Sequence, residues 1–194
     1  MEEAQPFRLI AFLAQDLAAA LHMTAGPEER RKGWRLWKGL FSPRFLPVLN
    51  CRLAYFFYIR RLGPIAKLFS TLNFFLYGLE IAVRCPIGPG FYLPHTHGTV
   101  IGALRIGAKV TIYQGVTLGA PEVDVGYAAT SRPTIGDGVI IGSGAKVLGG
   151  ITLGCGARVG ANAVVLKSVP PGALAVGVPA RVVAPVGDVT NVVT

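Results

Sequence analysis

Thirteen aliphatic side chains recur at a step of six through the second half of the chain, a spacing that few folds tolerate. Ile81, Ile87 and Leu93 set the phase. After one inserted residue it resumes at Val100, Ile106, Ile112 and Leu118, and after a longer insertion at Ile135, Ile141, Val147, Leu153, Val159 and Val165. A helix repeats its face every 3.6 residues and a strand every two. A period of six instead suits a short strand followed by a tight turn, repeated, with one side chain per repeat pointing inward. Three such hexads close a triangular coil of about 18 residues, and coils stacked at roughly 4.8 Å per layer pair their backbones along the axis. Residues 81–170 then give about five coils. Many of the aliphatic positions are followed at once by glycine (Gly88, Gly107, Gly136, Gly142, Gly154 and Gly160 among them), as corners demand where a side chain would collide.

The first part of the chain reads differently. Phe7, Ile10, Leu13, Leu17 and Leu21 fall on one helical face, so residues 6–23 are expected to form an amphipathic helix ended by Gly26 and Pro27. A second helix is expected over Pro47 to Arg61 and a third over Ile65 to Leu79, separated by Gly63 and Pro64. The expected organisation is an α-helical unit over 1–79, a coil domain over 80–183 with an inserted loop at 120–134, and a tail over 184–194.

Charge is uneven. From Arg30 to Lys67 there are ten Lys or Arg and no Asp or Glu, within a formal net charge of +9. A partner carrying phosphates is expected. No helix-turn-helix, zinc-finger or RNA-binding signature accompanies the charge, so nucleic acid is not expected. Trp34, Trp37, Phe41 and Phe45 interleave with the cations, which suits peripheral contact with an anionic membrane surface; a solvated basic face over a helical core is the alternative. The apolar run from Leu68 to Val83 is short for a span and is broken by Glu80. Three cysteines without CxxC spacing indicate neither a disulfide framework nor a zinc site, and no metal is expected. The N-terminal apolar stretch is interrupted by Gln15 and Asp16, unlike a secretory signal, so the expected location is cytoplasmic, at or near the inner face of the membrane.

Five segments carry a resemblance: Gly98-Thr99-Val100-Ile101-Gly102, Tyr113 to Gly119 (YQGVTLG), Pro133 to Val139 (PTIGDGV), Gly142 to Gly149 (GSGAKVLG), and Gly177-Val178-Pro179-Ala180-Arg181. Together they resemble the hexapeptide-repeat acyltransferases, in their serine acetyltransferase-like branch, from about Gly78 to Val183. The resemblance implies a mainly β fold, a left-handed parallel β-helix behind a small α-helical unit, acetyl-CoA as acyl donor, and a homotrimer with each site shared between two subunits. It also implies that His95 is the general base on an acceptor hydroxyl and that Glu80 orients its ring. The chemistry needs such a group, because a neutral alcohol attacks a thioester poorly and an imidazole accepts its proton near neutral pH. His95 lies where the hexad phase slips, as at a bulge that re-aims side chains.

The same resemblance places the pantetheine arm beside Gly119, Ala120, Ser143 and Ala161, and the coenzyme phosphates near Lys146, Arg158, Lys167 or Arg181. Small residues let the arm run close to backbone amides, and cations meet phosphates. His97, Tyr127 and Arg132 are candidate acceptor-binding residues, with Glu122 and Asp124 beside them in the inserted loop; His97 reads also as a second acid/base group or as a turn residue. Where serine acetyltransferases carry Asp before the catalytic His, this chain has Pro94. Where they carry Arg-His-Pro in the extended loop, it has Ser131-Arg132-Pro133, and their helical Arg-Asp-Pro resembles Phe41-Ser42-Pro43 here. With those amino-acid anchors altered, and with a short basic leader like that of the small exopolysaccharide and capsule O-acetyltransferases, the expected acceptor is a sugar or glycan precursor. Serine acetylation in cysteine biosynthesis is the alternative, and a non-catalytic β-helix scaffold is the third reading.

Overall fold

The structure is a computed structural model that describes residues 8–24, 39–122 and 126–185. Trp34, Trp37, the Gly26-Pro27 stop, Asp124 and the residues after 185 lie outside this range. Among the described residues, α1 (Leu9–Thr24), α2 (Leu46–Ile59) and α3 (Gly63–Tyr77) come first. Gly63 and Pro64, expected as a separator, form the first turn of α3 instead. Proline suits that position, since its fixed φ is helical and its missing N–H would be unpaired there anyway. The helix also stops earlier than expected, at Gly78 with φ 58°, a left-handed conformation that glycine adopts without strain.

From Leu79 the described residues wind through thirteen short strands in three sheets. The first face holds β1 (Leu79–Ile81), β2 (Thr99–Ile101), β5 (Thr117–Gly119), β8 (Lys146–Leu148) and β11 (Val164–Val165), paired in that order. The second holds β3 (Arg105–Ile106), β6 (Thr134–Ile135) and β9 (Thr152–Leu153). The third holds β4 (Thr111–Ile112), β7 (Ile140–Ile141), β10 (Arg158–Val159) and β12 (Ala173–Gly177), closed by β13 (Ala180–Pro185). Among the described residues all pairings between successive coils are parallel, and β13 returns antiparallel onto β12. The register steps from Lys146 to Val164 in one regular coil, and from Thr117 to Lys146 where the insertion is looped out.

Twelve of the thirteen expected inward positions are buried in one continuous core. Val100 is the exception. It is 37% exposed while Ile101 beside it is 1% exposed, because the turn through His95 and His97 shifts the phase, and a strand shifted by one residue turns every side chain over. A second inward set, Ala103, Val110, Val116, Val139, Ala145, Ala157 and Ala163, fills the space between the larger residues. Coils approach so closely that a Cβ on Gly136 would lie 2.7 Å from the Cys155 nitrogen, which is why glycine follows the aliphatic residue there.

The inner face of α1 also differs from expectation. Ile10 is 85% exposed, and Phe12, Asp16 and Ala20 are the residues turned inward. Asp16 explains the rotation. Its carboxylate receives Arg52 Nε at 2.8 Å and Nη2 at 3.0 Å, so the apolar stripe gives way to a buried ion pair. Arg52 therefore leaves the expected basic face. Its remaining donors reach the carbonyls of Ile87 and Gly88, tying α1 and α2 to the first coil.

Candidate active site at the edges of the coil

Three edges separate the three faces, and the candidate residues distribute over them. The edge between the third and first faces carries His95, Thr96 and His97 in the first coil, Tyr113 and Gln114 in the next, Ser143 above them and Ala161 above that. Backbone bonds lock this column: Gly98 N–H donates to Gly78 O at 2.9 Å, Gly115 N–H to His97 O at 3.1 Å, Gly144 N–H to Gln114 O at 2.8 Å and Asn162 N–H to Ser143 O at 2.8 Å. His95 and His97 are exposed on it, while Thr96 between them is buried. Glu80 projects outward from the middle of β1 on the adjoining first face. Among the described residues no hydrogen bond joins it to His95.

The edge between the first and second faces carries a different group. Gly119 ends β5 there, Ala120 opens the inserted loop, and Lys167 is exposed at the same edge two coils on. A Cβ on Gly119 would meet nothing within 4 Å, so the strand end is open on that side. The loop folds back onto this edge: the Tyr127 hydroxyl donates to Ala103 O at 2.6 Å, and Arg132 Nη1 donates to Gly102 O at 2.9 Å. The Arg132 guanidinium lies 3.8 Å over the Tyr127 ring, a cation–π contact that fixes its plane. Glu122 is exposed at the start of the loop.

The phosphate candidates are equally spread. Arg158 is exposed on the third face and Arg181 on β13 at the end of that sheet. Lys146 faces outward on the first face, but its ammonium donates to Gly115 O at 2.6 Å and Thr117 Oγ1 at 3.1 Å, leaving one of three protons for an outside anion. Within one chain, then, His95, Ser143 and Ala161 share one edge, Gly119, Ala120, Tyr127, Arg132 and Lys167 share another, and the first face separates them. An imidazole and a loop guanidinium on different edges of one prism reach one molecule only where two prisms lie side by side.

The cysteines stay outside this arrangement. Burial pushes the thiols of Cys51 and Cys85 up to about 12, so both remain protonated and poorly nucleophilic at neutral pH, and Cys155 is exposed at a corner between the second and third faces. Among the described residues no group of His, Cys, Asp or Glu has the composition of a metal site. No helix among them is long and apolar enough to cross a membrane. The contacts of Thr96, Asp16 and Gly78 with the His95 turn have no counterpart among the sequence expectations. The available signals were a small hydroxyl residue between two histidines and a lone carboxylate in an apolar helix.

Comparison with known proteins bears on the chemistry. Residues 132–167 match the bacterial transferase hexapeptide family, described as six repeats. A serine acetyltransferase from Bacillus pumilus is 45% identical over 141 residues, 72% of this chain and 64% of that protein. One from Helicobacter pylori (strain J99) is 43% identical over 145 residues, 74% of this chain and 83% of that protein. Soybean serine acetyltransferase complexed with serine superposes with a TM-score of 0.75 at 35% identity, over 90% of this chain and 69% of that one. The chain thus spans less than two thirds of the Bacillus protein's length. The three-faced coil is the left-handed β-helix of these proteins. Two expectations are corrected. The nearness to exopolysaccharide and capsule O-acetyltransferases finds no counterpart among these relatives, and the sugar or glycan acceptor is overturned by relatives at this identity being serine acetyltransferases.

Proposed function

Because the chain belongs to the serine acetyltransferase family of hexapeptide-repeat transferases, we propose that it moves the acetyl group of acetyl-CoA onto the hydroxyl of serine. The kinship over most of the Helicobacter protein's length carries this reading, and the exposed imidazole of His95 supplies the chemistry. His95 takes the hydroxyl proton as the serine oxygen attacks the thioester carbonyl. The C–S bond then breaks, and the proton passes to the leaving thiolate, giving O-acetylserine and free coenzyme A. Glu80, outward on the adjoining face, orients the imidazole in the loaded site, where catalytic hydrogen bonds that are long or absent in the free enzyme tighten. A backbone N–H near Gly119 stabilises the oxyanion. With Pro94 and Ser131 replacing charged residues of the family, Arg132 is the cation left on the loop to take the serine carboxylate, its fork held flat by Tyr127. Gly119, Ala120, Ser143 and Ala161 flank the pantetheine arm, and Lys146, Arg158, Lys167 and Arg181 meet the phosphates.

Three chains side by side complete the site, with the His95 edge of one against the Arg132 edge of the next. A heterologous contact of this type closes into a ring when the rotation is threefold. The test is direct. Purified protein with acetyl-CoA should release free thiol in proportion to added L-serine, and His95→Ala should lower that rate by about 10²- to 10⁴-fold. Thiol release that does not depend on serine overturns the acceptor, and full activity in His95→Ala overturns the base.

The helical unit supports a second, separable reading. Ile65, Leu68, Leu72, Phe75 and Leu76 form an exposed stripe along α3, with Ile59 and Leu62 beside it. Arg60, Arg61 and Lys67 surround the stripe, and α2 and α3 contain no Asp or Glu. We infer that this face rests on an anionic lipid surface, where apolar side chains sink into the headgroup boundary and cations meet phosphates. Co-sedimentation with phosphatidylglycerol vesicles, lost with phosphatidylcholine or at high salt, is expected. No binding, or a doubling of the particle mass through this face, overturns it.

A further inference from the structure

The turn that carries His95 is held at both ends by the helical unit. At its start, Phe91 N–H donates to Asp16 Oδ1 at 2.9 Å, and the carboxylate is fixed in turn by Arg52. Asp16 and Arg52 side chains are 0% and 3% exposed, so this brace is dry. At the other end the Thr96 hydroxyl donates to Tyr77 O at 2.8 Å, and Gly98 N–H donates to Gly78 O. Tyr77 is the last residue of α3, where carbonyls lack an intrahelical partner, so the turn satisfies the helix end while the helix end fixes the turn. His97 packs against Gly78, where a Cβ would stand 3.3 Å from the ring carbon Cδ2.

Between these anchors, Pro94 and His95 are the unsupported stretch. Among the described residues the His95 ring makes no hydrogen bond of its own, so its direction is inherited from the backbone on either side. A buried hydroxyl whose partner is a helix-terminal carbonyl, set between two exposed histidines, costs desolvation unless the bond is made. Packing alone would be served as well by valine.

We propose that the helical unit is a positioning device for His95, acting through Thr96 at one end of the turn and Asp16 at the other. This rests on His95 being the base; Thr96 and Asp16 touch no substrate and act through the backbone of the turn. A base held on a rigid frame loses rate steeply when displaced, about 100-fold for a shift of roughly 1 Å.

Thr96→Val keeps the side chain's shape and removes the hydroxyl. It should lower kcat about 10- to 100-fold with the KM for acetyl-CoA within about twofold of the parent, because Ser143 and Ala161, which flank the coenzyme on this edge, belong to later coils and keep their own backbone bonds. Amide exchange at Gly98 and Thr99 should accelerate by about tenfold as the turn loosens. Thr96→Ser, which retains the hydroxyl, should return both readouts to near the parent values. Should Thr96→Val fail to fold, Thr96→Ala replaces it with the same two measurements. Turnover unchanged in the hydroxyl-free variant, a parallel rise in KM, or no rescue by serine overturns the proposal. If the parent chain shows no acetyl transfer, the base assignment fails by itself. Exchange at Gly98 and Thr99 then still decides, since unchanged exchange in Thr96→Val refutes the anchoring.

Discussion

Val100 and Ile101 show how one residue of phase decides what a side chain contributes. Ile101 touches only core, and truncating it to alanine should cost about 2–4 kcal/mol, the transfer term plus the cavity left behind. Val100→Thr, on the outer side of the same strand, should stay within about 0.5 kcal/mol. Urea unfolding of the two variants checks the pair, and a larger loss from Val100 would restore the phase read from the hexads. The buried thiols give a pH signature. Cys51 and Cys85 are raised from 9.0 to about 12, so the native chain holds their protons where the unfolded chain releases them. The stability this confers is complete below about 9 and disappears as pH climbs towards 12. The urea midpoint should therefore fall across that window, and fall less in the Cys51→Ala, Cys85→Ala double variant. At neutral pH a thiol reagent should label Cys155 in the native protein and all three cysteines in denaturant.

At the scale of elements, the strands were legible because each hexad repeats one physical instruction, an aliphatic residue inward and a glycine where the next coil presses close. The loop at 120–133 was legible as a break in that beat. The rest was written in pairs of residues far apart in sequence, which periodicity does not register. Asp16 read as an interruption of an apolar helix, and Arg52 as one more cation in a basic run. Only folding brings the two within 2.8 Å and turns α1 so that Phe12 and Ala20 face inward in place of Ile10. The cost of separating them should be large. Asp16→Ala leaves a buried guanidinium and an unpaired Phe91 N–H, and should destabilise by about 3–5 kcal/mol. Asp16→Leu with Arg52→Met removes both charges and should recover most of that loss, although the carbonyls of Ile87 and Gly88 then lose a donor. A double-mutant cycle in urea measures the coupling, and additive single effects would show that the pair contributes no more than its packing.

In the whole molecule, the candidate site is divided between two edges of one prism, and the sequence gives both halves without their relation, because a linear order of strands carries no information on which edge meets which neighbour. His95 follows the third face and Arg132 precedes the second, with the first face standing between them. If each site joins the His95 edge of one subunit to the Arg132 edge of the next, then two inactive variants should rescue one another. His95→Ala chains still offer an intact Arg132 edge, and Arg132→Ala chains an intact His95 edge. Mixed in equal amounts, unfolded and refolded together, they assemble at random into threefold rings, and about a quarter of the sites pair two intact edges. Serine-dependent release of coenzyme A should therefore return to about a quarter of the parent rate per site, from near zero in either variant alone. Mixing without subunit exchange should give nothing. Failure of the co-refolded mixture, when each variant refolds to the same particle size as the parent, would place both residues in one chain's own site and remove the reason for a ring.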